Sequence, residues 1–172
     1  CVNRVVIALD ITEEVINEAI NVGAQMIVSH HPAFFDLKFV TDSDINGQKV
    51  IKLLQNGISC LCMHTNLDQV TGGVNDALAK TLRVQVEGYL SETRTTSDGK
   101  TYGTGRYGQR ENPCEMVDFL SFVKSALQTN GLRYHDAGRP VSKVALCGGS
   151  GGEFVTAAAA LGCDTLVTAD IK

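Results

Sequence analysis

Nothing in this sequence approaches the ~20 apolar residues that a membrane span needs. No basic-then-apolar leader marks a secretory signal at its start. There is no run of basic residues: Lys and Arg number 15 against 19 Asp and Glu, for a net charge of −4. Binding driven by attraction to nucleic acid or an anionic membrane is therefore not expected. There is no Cys-x-x-Cys pair among the six cysteines Cys1, Cys60, Cys62, Cys114, Cys147 and Cys163. Most lie in or beside apolar runs, so buried or half-buried thiols in a reducing, cytoplasmic compartment are expected. Trp is missing, while Gly reaches 17, which points to tight turns and close backbone approaches.

What is present describes a folded α/β domain. Of the 172 residues, 44% are hydrophobic and 20% charged, which excludes an intrinsically disordered chain. Val5–Leu9 is an apolar run followed by Asp10 and Thr12 as possible N-caps. An amphipathic stretch then carries Glu13 and Glu14 in its first turn and stops at Gly23. Met26–Ser29 is a second apolar run. Continuous apolar strands around a helix predict β-α-β units with largely parallel strands buried on both faces. Further along, the pattern predicts helices at Gln48–Gln55, Val74–Leu82, Pro113–Leu127 and Glu153–Leu161. It predicts strands at Ile58–Met63, Val144–Cys147 and Thr165–Thr168. Residues 91–112 read as a flexible connection or hairpin between a first half, 1–90, and a second half, 113–172. Val5–Ser29 aligns on Val144–Thr168 without a gap, which suggests an internal repeat. The chain opens at Cys1 and closes just after a strand-like run, so both ends are expected to lie inside a longer protein.

The repeat sets His30-His31 and Ala169-Asp170 at one place, just past the ends of equivalent strands. Ligands bind at that edge of open α/β sheets. Ser29-His30-His31-Pro32 follows one strand directly, and His64-Thr65-Asn66-Leu67-Asp68 follows another. In the turn after a strand two neighbouring rings can converge, and Pro32 restricts the backbone after them. A set of His and carboxylate is a common metal shell with open positions. The plainer alternative is a surface loop with incidental histidines. Cys60, Cys62 and His64 alternate on one strand and offer a weaker soft-metal alternative. His135, in a polar stretch, reads as surface.

Cys147-Gly148-Gly149-Ser150-Gly151-Gly152 lies between a predicted strand and a predicted helix. It reads as an anion cradle of backbone amides at Gly148, Gly149, Ser150 and Gly151, as a plain tight turn, or as a nucleophile elbow at Ser150. It lacks the Lys-Ser/Thr of a Walker loop and the spacing of a dinucleotide fingerprint.

Taken together and in order, these segments resemble a known family. They include Gly72-Gly73-Val74-Asn75-Asp76, Gly103-Thr104-Gly105-Arg106-Tyr107-Gly108 and Thr168-Ala169-Asp170-Ile171-Lys172. The resemblance is to the Nif-three-like proteins, the GTP cyclohydrolase I type 2 homologs, and it covers nearly the whole chain. It implies an α/β protein of two similar halves, assembled as a homohexamer around an inner cavity. It implies two divalent metal ions per chain, of Zn, Mn, Fe or Co, with His30 on one and His31 with Asp68 on the other. A further His and Glu would come from beyond Lys172. Ala169 stands where the family usually has Gly. The implied activity is metal-dependent hydrolysis of a nucleotide or phosphorylated small molecule. By residue type and place, His64 is a candidate catalytic proton shuttle or ligand-supporting group, or equally a hydrogen-bonded structural residue. A non-catalytic metal-binding scaffold or interaction protein is the alternative.

Overall fold

The computed structural model describes residues 1–171. The chain divides into two compact units, Cys1–Leu67 and Asp68–Lys172.

The first unit runs β1 (Val5–Ala8), α1 (Glu13–Asn21), β2 (Met26–Ser29), α2 (Ile45–Gln55) and β3 (Ser59–Cys62). Its sheet has the order β1-β2-β3 and is parallel throughout. Thr12 caps α1, its Oγ1 accepting from the Val15 amide at 3.3 Å, so Asp10 is not the cap. Asp44 caps α2 through a 2.8 Å bond from the Gly47 amide, which starts that helix at Ile45 rather than Gln48. Ile16 and Ala19 of α1 and Leu53 of α2 bury against Ile27 of β2. That is one face of the sheet. The other, carrying Val5, Ile7, Val28 and Leu61 by the ladder register, is not covered as expected: Ile7 is 83% exposed.

A short helix, α3 (Thr65–Gln69), leads the chain into the second unit. There follow α4 (Val74–Thr81), β4 (Val84–Gly88), β5 (Ser91–Thr95), β6 (Thr101–Thr104), β7 (Arg106–Cys114), α5 (Met116–Ala126) and β8 (Val141–Ser150). A single 3-10 turn at Gly152–Phe154, then α6 (Val155–Ala160) and β9 (Thr165–Asp170), complete the unit. The sheet order is β4-β7-β8-β9. Only β8 and β9 pair in parallel; β4–β7 and β7–β8 are antiparallel, so this sheet is mixed. Residues 91–105 do form a hairpin, β5–β6. They lie inside the second unit instead of dividing the chain, because β4 before them and β7 after them pair with each other. Pro113 does not open α5. It sits near the end of β7, where the pairing with β8 skips from Gln109 to Cys114, a place that needs no ladder amide. The main core gathers Ala79, Leu82, Val84, Phe119, Val123, Val141, Val144 and Leu146. A smaller cluster packs Ala158 of α6 on Ala145 and Cys147 of β8.

The aligned segments share geometry down to single hydrogen bonds. Val5 pairs with Met26 and Ala8 with Ser29; Val144 pairs with Thr165 and Cys147 with Thr168. Both helices end in a left-handed glycine, Gly23 at φ 66° and Gly162 at φ 74°. The Ala24 amide donates to the Ala19 carbonyl as Cys163 does to Ala158. Gln25 accepts the amides of Asn3 and Arg4 on its side chain, and Asp164 accepts those of Ser142 and Lys143.

Candidate metal centre

His30 and His31 follow β2 in the first unit, and His64 follows β3 shortly after it ends. Adjacent parallel strands bring both turns to the same sheet edge. The three ring centroids lie 4.9, 5.1 and 5.6 Å apart. Each residue offers one ring nitrogen, and these three atoms all fall within 4.8 Å of one another. All three residues are partly buried, so water and a ligand can reach them.

Each Nδ1 faces an oxygen. That of His30 lies 3.0 Å from the Met63 carbonyl, and that of His31 lies 2.7 Å from Asp10 Oδ1. The Nδ1 of His64 is 3.3 Å from Thr65 Oγ1. A carbonyl or carboxylate only accepts, so in the neutral ring it holds the proton on Nδ1 and leaves the lone pair on Nε2. Metal-bound histidines are usually held in this way. Cys62 donates its thiol to the His30 carbonyl at 3.0 Å, and Ser29 donates its hydroxyl to the His31 carbonyl at 2.6 Å. The Phe35 ring stands edge-on to His64 at 6.2 Å. The cluster thus groups His64 with His30 and His31, and not with Cys60 and Cys62. His135 is exposed, as its polar surroundings suggest.

The profile of the Duf34/NIF3 (NGG1p interacting factor 3) family matches residues 1–172. The chain belongs to that family. It is 34% identical over 171 residues to a GTP cyclohydrolase 1 type 2 homolog of Clostridium perfringens, covering 98% of this chain and 64% of the relative. It is 29% identical over 160 residues to NGG1-interacting factor 3 of Saccharomyces cerevisiae, covering 86% of this chain and 56% of that one. Among solved structures, the NIF3-related protein of Bacillus cereus superposes with a TM-score of 0.90 at 25% identity. That match covers 99% of this chain and 73% of the other. The chain therefore spans less than two thirds of the length of these curated relatives. No helix among the described residues is long and apolar enough to cross a membrane.

The remaining motifs of this NIF3 chain lie in the second unit. Asp68 sits in α3, four positions after His64, and its backbone carbonyl accepts from Asn75 Nδ2 at 2.9 Å. The same buried Asn75 accepts the Gly148 amide on Oδ1 at 2.8 Å. Asp76 accepts the Gly72 amide at 2.5 Å and pairs with Arg106. Arg106 is 1% exposed, and its five N–H groups are all used: Nε on Asp76, Nη1 on the Gly103 and Gly105 carbonyls, and Nη2 on those of Gln69 and Val70. Its guanidinium also stacks on Tyr89 at 4.4 Å. Burial pushes the Asp76 carboxyl up, but the bonds from Arg106 and Gly72, with the Arg106 charge, outweigh it and hold the carboxyl below its ordinary range. These family motifs therefore build a buried polar brace. In the sequence alone, Asn75, Asp76 and Arg106 stand out only as part of the family resemblance.

The glycine run is not a free loop. Gly148, Gly149 and Ser150 continue β8, with a bulge against β9 and Gly149 at φ 72°. The Gly148 amide goes to Asn75 and the Gly151 amide to the Asp170 carbonyl. A Cβ on Gly151 would lie 2.7 Å from Cys147 Cβ and Thr168 Oγ1, so close packing accounts for that glycine. Ser150 is exposed at the strand end, opposite Asp170. Burial, then the charges of Asp68 and Glu153, push the Cys147 thiol up to about 11, which keeps it protonated and unreactive.

Proposed function

We propose that the protein holds divalent metal at its histidine cluster and uses it to hydrolyse a nucleotide or phosphorylated small molecule. The observation that supports this reading is the convergence of His30, His31 and His64 within 4.8 Å, with the Nδ1 of His30 and of His31 held by oxygen acceptors. The donor chemistry fits: imidazole suits Zn, Fe and Co, and a carboxylate extends the choice to Mn. The names of the bacterial relatives support the cyclohydrolase-like reaction class. Two ions per chain, ligation by Asp68 beside His31, and a hexameric assembly rest on the family resemblance.

A divalent ion held there would supply a Lewis acid and lower the pKa of a bound water toward neutrality. The chain's own part is to orient and to move protons. The Met63 carbonyl and Asp10 hold two rings in one tautomer. The role read for His64 is to support the bound ion or to pass a proton beside the reacting group. Phe35 screens one side of His64.

Elemental mass spectrometry of the protein and of His31→Ala tests the reading. About two transition-metal ions per chain, lost in the variant, supports it and justifies a hydrolysis screen over nucleotides. A folded protein without transition metal overturns it. One observation favours a second reading, a metal-binding scaffold without turnover: two amides of the glycine run are committed inside the fold and leave a poorer anion cradle. Metal bound at full occupancy with no turnover in the screen would favour that alternative.

A further inference from the structure

We propose that Asp10 is a positioning residue that sets the tautomer and aim of His31. This inference rests on the metal reading above and deepens it. Asp10 lies between β1 and α1, where its type and place suit an N-cap. Thr12 takes that role, and Asp10 Oδ1 instead stands 2.7 Å from His31 Nδ1. The backbone of the same loop is tied to the same residue, since the His31 amide donates to the Leu9 carbonyl at 3.0 Å. With Ser29 donating to its carbonyl, His31 is fixed at its amide, its carbonyl and its ring. A carboxylate on Nδ1–H makes Nε2 the lone-pair nitrogen and raises its basicity as a ligand.

The internal repeat separates this role from a folding role. The positions equivalent to Asp10 and His31 in the second β-α-β unit are Gly149 and Asp170. The parallel strand pairing, the left-handed glycine and the bonds that close the helix C-terminus are kept there without the pair, although the helix is shorter and opens on a 3-10 turn with no side-chain cap. The shared fold therefore does not need an acid at this place; the histidine does.

Two measurements on the wild type, Asp10→Ala and Asp10→Asn decide it. Long-range proton–nitrogen NMR of metal-free protein at about pH 8.5, well above the ordinary imidazole pKa of ~6.5, reports the tautomer of His31. The expected result is Nδ1–H in the wild type and in Asp10→Asn, whose amide oxygen still accepts, and a shift toward Nε2–H in Asp10→Ala. Titration with Co2+, followed by its visible spectrum, is expected to show at least about tenfold weaker binding for Asp10→Ala, with partial rescue in Asp10→Asn. A merely structural role would lower Tm and leave tautomer and Co2+ spectrum unchanged. Wild type that binds Co2+ beside an Asp10→Ala variant with the same tautomer, or with affinity within twofold, overturns the role of Asp10 alone. Wild type that takes up no Co2+ overturns the metal reading and this role with it.

Discussion

The β-α-β segment Val5–Ser29 and its counterpart Val144–Thr168 share strand register, a left-handed glycine and the side-chain brace below the strands. They part company at the strand edge. After Ser29 come two histidines whose rings meet His64. After Thr168 come Ala169 and Asp170, and Asp170 uses its carbonyl to hold the Gly151 amide. The polar groups of the second unit are mostly spent within it, with Arg106 and Asn75 as the extreme cases. Those of the first unit's edge are oriented but left accessible. One scaffold thus carries a braced edge in one copy and an edge of three partly buried histidines in the other, because the turn residues differ while the apolar ladder is shared.

Several substitutions test this contrast. The largest effect is expected from Arg106→Ala, which strands Asp76 and empties four carbonyl contacts. A loss of about 3–5 kcal/mol, measured by urea unfolding, is expected for a buried pair broken on one side. A loss under about 1 kcal/mol would show that the brace is not structural. Asn75→Ala should cost about 2 kcal/mol, since it removes the bonds to the Gly148 amide and the Asp68 carbonyl together.

Acid should reveal the same brace. The Asp76 carboxyl is held low in the folded protein, so its contribution is present above its unfolded pKa, about 3.9. It is lost as pH falls through the lower folded value. Urea unfolding at about pH 5 and about pH 2.5 should therefore show a drop in stability that is smaller in Asp76→Asn. An equal drop in both proteins would remove Asp76 from the account.

At the first unit's edge the expectation reverses. His31→Ala should change unfolding stability by no more than about 0.5 kcal/mol while it abolishes metal uptake. A large destabilisation would make the cluster part of the fold. The smallest effect is expected at Cys147. Its high pKa and burial should leave it unlabelled by iodoacetamide in the native protein at about pH 8, and labelled once urea unfolds the chain.

Much of the scaffold is readable from residue order. The apolar runs at Val5, Met26 and Val144 and the amphipathic stretch after Thr12 carry their own periodicity and caps, and the gapless repeat reappears in the ladder register. β4 and β7 are not readable in this way. Arg106–Cys114 mixes charges, Gly and Pro, and becomes a strand because β4 and β8 pair on either side of it. Gly108 permits this: a Cβ there would lie 1.9 Å from the Gln85 carbonyl oxygen. The unit boundary at Leu67–Asp68 is hidden in the sequence for the same reason, since pairing between β4 and β7 encloses the hairpin that reads as a connection.

At the candidate site, strand-end position was enough to single out His30, His31 and His64, because a period of two and a parallel crossover place successive strand ends at one edge. Local order could not assign Asp10, which looks like a cap until Thr12 is seen to hold Val15. Nor could it show that Gly148 and Gly151 have internal partners. Composition and short-range pattern settle the apolar strands, the amphipathic helices and the turns that carry histidine, since those depend on neighbours a few residues away. Which acid faces which ring, and which amide remains for a ligand, depends on residues some 20 to 70 positions apart, and only packing brings them within hydrogen-bond reach.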